Sequence, residues 1–168
     1  MNIRNILLVA FLIAFLTGCS SDLGKVIASV NAAPSDIHEL GIISTPSTPI
    51  TSLVYRVSNK EELTEAWQHF SIKKDPPKTE FDRYDYYFVN IRESSTCPFK
   101  LKNVTVNDTN KEINFYFHNQ SIGSCTADAT PKTVVVEVDK SYANGLENAA
   151  IIYFTGDRES RITDRIWD

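Results

Sequence analysis

The residues of this chain that could do chemistry are few: three cysteines, three histidines and the hydroxyl run Ser94-Ser95-Thr96. A nucleophile needs a base within hydrogen-bond reach. A hairpin turning through Asn107-Asp108-Thr109-Asn110 sets His118 opposite Phe99, which makes His118 the base that Cys97, Ser94 or Ser95 would use. Against a serine hydrolase, the chain has no Gly-x-Ser-x-Gly turn to strain and expose a nucleophile. Against a thiol enzyme, no residue near His118 is placed to orient its imidazole. His38 and His69 fall in polar surroundings and read as solvated. No Cys/His set has metal-ligand spacing. Asn107–Asn110 with Glu112 lacks the glycine and the terminal glutamate of a calcium loop and reads as a turn. The sequence names no catalytic residue, no metal ligand and no cofactor, and the expectation is a protein that is not an enzyme.

Cys19 belongs to a different pattern. Arg4 and the α-amine precede an unbroken apolar run, Ile6–Leu16. That run is shorter than the roughly 20 residues that span a bilayer and fits the apolar region of an export signal. Leu16-Thr17-Gly18-Cys19 follows. It resembles the bacterial lipobox, in which small residues admit the signal peptidase and the cysteine thiol takes a diacylglyceryl group. Residues 1–18 are therefore expected to be a lipoprotein signal peptide, with acylated Cys19 anchoring the chain to a lipid membrane on its extracytoplasmic face. If the cell has an outer membrane, Ser20 and Ser21 permit sorting to it.

With Cys19 assigned to lipid, Cys97 and Cys125 are the remaining thiols in an oxidising compartment, where pairing is favoured. The hairpin register places Cys97 near Gln120, within reach of Cys125 across a short loop. Closing a loop of about 28 residues stabilises by about 3–4 kcal/mol in the chain-entropy model.

Composition sets further bounds. The chain has 168 residues, 42% hydrophobic and 23% charged, with a net charge of −4. That is an ordinary globular composition. Lys and Arg form no cluster, so a nucleic-acid partner is not expected, and the overall charge gives anionic headgroups no general attraction.

The elements that must position these residues follow in order. Residues 19–51, rich in Ser, Ala, Thr and Pro, read as a flexible tether with a weak helical turn over Gly24–Val30. A small β-rich domain is expected over residues 52–168. Leu53, Tyr55 and Val57 alternate as a strand. Ser58 to Glu61 has capping-box spacing, and Leu63, Ala66, Trp67 and Phe70 give an amphipathic helix over 59–70. Tyr84–Arg92 is a strand with apolar groups at both parities, so both faces should be covered. Phe99 and Leu101 share one parity and Val104 and Val106 the other, which requires a bulge near Lys102-Asn103. Further strands run through Ile113–Phe117, Lys132–Asp139 and Ala150–Phe154, with Ile162, Ile166 and Trp167 packing back. The fold class is α+β, mainly an antiparallel sheet with one helix packed on it and one disulfide.

This order carries a resemblance. A strand ending near Val57 leads into a helix with Glu61-Glu62-Leu63 and Trp67. A proline-containing loop then leads to Phe81-Asp82 and an apolar strand. A hydroxyl-rich segment precedes a hairpin, and a cysteine-containing loop ending in Thr130-Pro131 precedes a valine-rich strand. The pattern, over Val54–Lys140, is similar to the PrcB-type protease-complex-subunit family, small β-rich domains carried on exported lipoproteins. Where that family has Thr-Gly-Gly-Tyr, this chain has Ser95-Thr96-Cys97-Pro98-Phe99, the mark of a disulfide-bearing branch. The resemblance implies a non-catalytic accessory domain that binds a protein partner, a membrane-associated protease complex being the example. The expected contact surface is formed by Ser94, Ser95, Thr96 and Pro98 with Thr130 and Pro131, on loops held by a rigid sheet. The competing reading is an envelope solute- or polymer-binding module using the aromatics of Tyr84–Phe88.

Overall fold

A computed structural model describes residues 22–36, 42–44, 50–119 and 123–168. Its strands are β1 (Gly24–Val30), β2 (Ile42–Ser44), β3 (Ile50–Val57), β4 (Tyr84–Glu93), β5 (Phe99–Asn107), β6 (Glu112–Asn119), β7 (Thr130–Asp139), β8 (Asn148–Thr155) and β9 (Arg158–Arg165). Two helices, α1 (Lys60–His69) and α2 (Lys140–Ala143), interrupt them. One sheet has the order β1-β7-β4-β3-β2 and the other β5-β6-β8-β9. Every pairing is antiparallel except β6 with β8.

Alternation along the strands decides what is buried and against what. Tyr87, Val89 and Ile91 of β4 and Val134, Val136 and Val138 of β7 share a core with Ile113, Phe115 and Phe117 of β6 and Ala149, Ile151 and Tyr153 of β8. The opposite parity of the first sheet, with Tyr86, Phe88 and Val135, shares a second cluster with Leu63, Ala66 and Trp67 of α1. Both faces of β4 are thus covered, as its double-parity pattern predicts. Tyr86, Tyr87 and Phe88 are fully buried, so these three aromatics offer no surface to a solute or polymer.

The expected bulge is present: the β5–β6 register shifts between Leu101 and Asn103. It lets Leu101, Val104 and Val106 all reach the inter-sheet core. The hairpin turn is longer than a two-residue loop. It is a 3-10 turn over Asp108–Asn110 closed by Lys111 in the left-handed region at φ 47°. This turn moves the pairing by two residues and the bulge takes one of them back, so His118 lies opposite Lys100 rather than Phe99.

Two other expectations are corrected. Gly24–Val30, read as part of the tether with a helical turn, is a strand paired to β7. The helix cap is Asn59 rather than Ser58: its side chain accepts from the Glu62 amide at 3.0 Å, and the Glu62 carboxylate in turn accepts from the Ser58 amide at 2.8 Å. The C-terminal stretch packs back as expected, Ile162 and Ile166 onto the inter-sheet core and Trp167 onto the helix-side cluster; it does so by forming β9 and then returning to β3, where Trp167 N–H donates to Val54 O and Arg56 N–H to Trp167 O.

β1 also joins the two sheets. Asp22 accepts from the Gly24 amide at 3.2 Å and the Val104 amide at 3.1 Å, and Leu23 N–H donates to Val104 O at 3.2 Å. Gly24 is required by this approach, since a Cβ there would stand 2.3 Å from Val104 Cγ2 and 2.9 Å from Val136 Cγ1. Overpacking of this kind costs about 1–3 kcal/mol. Gly24→Ala is therefore expected to lower the thermal midpoint, measured by circular dichroism, and Gly24→Val to lower it further.

Candidate functional site

Cys97 and Cys125 form a disulfide with Cα atoms 5.5 Å apart. It joins the turn between β4 and β5 to the loop before β7. The first turn is tight: Cys97 N–H donates to Ser94 O at 3.1 Å. The second loop leaves β6 and enters β7 at Thr130, which pairs with Glu93 of β4. Both loops therefore emerge from the same end of the sandwich.

Around the bridge the hydroxyls predicted as a contact surface come together. Thr126 N–H donates to Thr96 Oγ1 at 3.0 Å, and Ser94 Oγ lies 2.9 Å from Thr126 Oγ1 and 3.1 Å from Thr96 Oγ1. Asp128 is the hub. Its carboxylate accepts from the Thr126 hydroxyl, from Ser95 N–H at 3.1 Å and from the Thr130 hydroxyl at 2.9 Å. These donors, Thr126 first and then Ser95, hold the Asp128 carboxyl well below the usual carboxylate range. Pro98 is exposed beside the bridge, while Pro131 sits inside β7 opposite Arg92. Pro131 therefore belongs to the sheet, and the exposed surface is carried by Ser95, Thr96, Pro98 and residues 124–129.

The linkage sign is set by the lowered folded-state value. The ionised Asp128 stabilises its loop above the ordinary carboxylate range, and this contribution is lost as pH falls through the lowered folded-state value. A side-chain carboxyl titration by NMR should show Asp128 as the last aspartate to protonate, with the Ser95 amide resonance moving at the same pH. Asp128→Asn should remove that transition.

Beneath the loops lies a pair that sequence reading missed. Glu93 Oε2 accepts from Phe99 N–H at 2.7 Å and from Lys132 Nζ at 3.1 Å, and Lys132 Nζ also donates to Phe99 O at 2.9 Å. Their side chains are 7% and 15% exposed, so this is a largely buried ion pair. A signal was available: Glu93 continues the Tyr87, Val89, Ile91 parity, and Lys132 continues the Val134, Val136, Val138 parity. An acid and a base on the core-facing side of two strands are expected to meet.

The nucleophile readings fare differently. Cys97 is bridged, and the hydroxyls of Ser94 and Ser95 engage Thr126. His118 stacks on Phe154, with centroids 4.5 Å apart, on the outer face of the second sheet. His69 lies 3.0 Å from Asp36 rather than free in solvent. Cys19, Leu16, Thr17, Gly18 and His38 lie outside the described residues. Among the described residues no His/Cys/Asp/Glu group could hold a metal ion, and no helix is long and apolar enough to cross a membrane.

A separate groove of about 680 Å³ runs between β1 and the segment after α1, lined by Ile27, Ala28, Val30, Trp67, Ile72 and Pro77 among others. It is more apolar than a second concavity. The second, about 490 Å³, is polar and lined by Arg56, Asp85 and Lys140. No family model matches the chain, and neither a curated protein nor a solved structure matches it.

Proposed function

We propose that this protein is a membrane-anchored extracytoplasmic lipoprotein whose β domain is a non-catalytic binding or accessory module for a protein partner. Acylated Cys19 supplies the anchor. The loops bridged by Cys97–Cys125 supply the contact surface. The single observation that carries the reading is the state of those loops: exposed to solvent, yet cross-linked and hydrogen-bonded to each other through Thr96, Thr126 and Asp128. An exposed surface that is already ordered loses little conformational entropy on binding. The thiol and hydroxyls that a hydrolase would employ as nucleophile are instead committed to that order. An envelope protease complex is the partner class that the PrcB-type pattern of elements suggests.

The test is site-specific photocrosslinking on native membranes, with the reactive residue at Pro98 and, as control, at Gly156 on the β8–β9 turn. One stoichiometric protein captured from Pro98 alone, and lost in the Cys97→Ser/Cys125→Ser variant, supports the reading. Equal capture from both positions, or none with the anchored protein present, overturns it.

The solute-binding alternative moves from the buried tyrosines to the groove beside β1. Trp67 lines it, with its indole N–H donated to Lys74 O at 2.5 Å. A ligand seated there should change Trp67 fluorescence, and Ile72→Asp should abolish that change without altering capture from Pro98.

A further inference from the structure

The chain leaves the described structure at Asp22, and Asp22 lies on one particular surface. With Lys102, Asn103, Tyr116, His118 and Phe154 it lines a shallow depression on the outer face of the second sheet. That face carries an aromatic strip. Phe154 stacks on His118 with centroids 4.5 Å apart and on Tyr116 at 6.3 Å. All three residues are half-buried, so part of each remains open to solvent.

Two residues, Ser20 and Ser21, separate Cys19 from Asp22. Three Cα–Cα steps reach at most about 11 Å even when fully extended. Asp22 is itself fixed, because its carboxylate holds the amides of Gly24 and Val104. The headgroup layer of one leaflet is about 5–7 Å thick. An acyl-bearing Cys19 at the hydrocarbon boundary therefore leaves only a few ångströms between Asp22 and the outer edge of the headgroups.

We propose that the Tyr116–His118–Phe154 strip is a membrane-docking surface that lies on the lipid headgroups. This rests on the anchoring reading above and deepens it: the lipid fixes which face of the domain meets the membrane. The occupant is the bilayer surface. Aromatic rings with a polar edge suit the headgroup level, and the exposed amines of Lys100 and Lys102 border the strip from β5. The protein's net charge of −4 gives no overall attraction, so short reach and aromatic contact do the orienting. The helix layer, on the far side of the first sheet, then faces away from the membrane.

The experiment uses the full lipidated protein in vesicles of equal parts phosphatidylethanolamine and phosphatidylglycerol, compared with the same protein in detergent. Amine labelling is read residue by residue by mass spectrometry. Labelling of Lys100 and Lys102 is expected to slow several-fold on vesicles, with Lys60 and Lys78 across the molecule unchanged. Tyr116→Ser/Phe154→Ser should restore labelling of Lys100 and Lys102. The wild-type comparison stands even if that variant misfolds. Labelling of Lys100 and Lys102 at the same rate on vesicles as in detergent, with Cys19 acylated by intact mass, overturns the docking surface and leaves the anchor standing. An unmodified Cys19 on protein isolated from membranes overturns the anchor and the surface together.

Discussion

Replacing Lys132 with methionine should cost about 3–5 kcal/mol, the loss expected when one partner of a buried ion pair is removed and the other is left uncompensated. The geometry makes the assignment specific. Glu93 is 7% exposed and faces the inter-sheet side of β4, with Lys132 Nζ at 3.1 Å. Methionine keeps the length and most of the apolar stem of lysine and removes only the charge and its donors. The same ammonium also holds Phe99 O, so the first residue of β5 loses a contact as well. Glu93→Gln is expected to cost less, because the amide oxygen still accepts from Phe99 N–H while Lys132, the more exposed partner, reaches toward water. Glu93→Leu with Lys132→Met removes both charges and should recover a large part of the single-variant loss. Urea unfolding of the native protein, Glu93→Leu, Lys132→Met and the double variant closes a double-mutant cycle. A coupling energy below the usual error of about 0.5 kcal/mol would mean that the pair is solvated in solution and does not support the loops.

That pair also shows where the sequence was legible. Period-two alternation marked β3, β6 and β7, because a slip of one residue would turn a buried face to water, while apolar runs at both parities marked β4 and β8, whose two faces are both buried. The parity conflict in Phe99–Val106 located the bulge for the same reason. Glu93 and Lys132 obey the same alternation, but reading them as partners needed the β4–β7 pairing, which no local pattern contains. The off-by-one register at His118 has two local causes: the turn closed by Lys111 in a left-handed conformation shifts the pairing by two residues, and the bulge between Leu101 and Asn103 returns one of them. β1 was the largest miss. Its sequence, GKVIASV, is short, half-exposed and bulged between Val26 and Ala28, so its alternation is weak. What holds it is long-range: the fit of Gly24 against Val104, the Asp22 carboxylate on the Val104 amide of β5, and the buried Asn90 and Thr133 side chains donating to Ala32 O. The candidate surface followed the same division. Ser94, Ser95 and Thr96 were visible as a hydroxyl run, and Cys97–Cys125 followed from counting thiols. Asp128, which ties those hydroxyls together, stood in a loop where one acid among polar residues carries no signal.

Loss of the disulfide is the second large effect expected, and it separates stability from function. The bridge spans 28 residues and encloses the whole β5–β6 hairpin. Restricting a loop of that length in the unfolded chain is worth about 3–4 kcal/mol, which corresponds to a fall in urea midpoint of about 1–4 M. Reductant should produce that fall in the native protein and none in the Cys97→Ser/Cys125→Ser variant. If reductant leaves the native midpoint unchanged, the thiols are not paired in solution. The hairpin does not depend on the bridge alone, since β6 remains paired to β8 and packed against β4 and β7. The reduced protein should therefore keep its far-ultraviolet circular dichroism at low urea. The change in the native state should be concentrated at the loops. Without the bridge, Thr126 and Asp128 must find Thr96 and Ser95 from a freely moving segment, and the hydrogen bonds among them become transient. Backbone amide exchange at Ser95 and Thr126 should then rise far more than at Phe115 or Val136. A partner that recognises the ordered loops would lose affinity under conditions where the domain is still folded. A partner captured equally well with or without the bridge would place the contact surface elsewhere, with the groove beside β1 the next place to look.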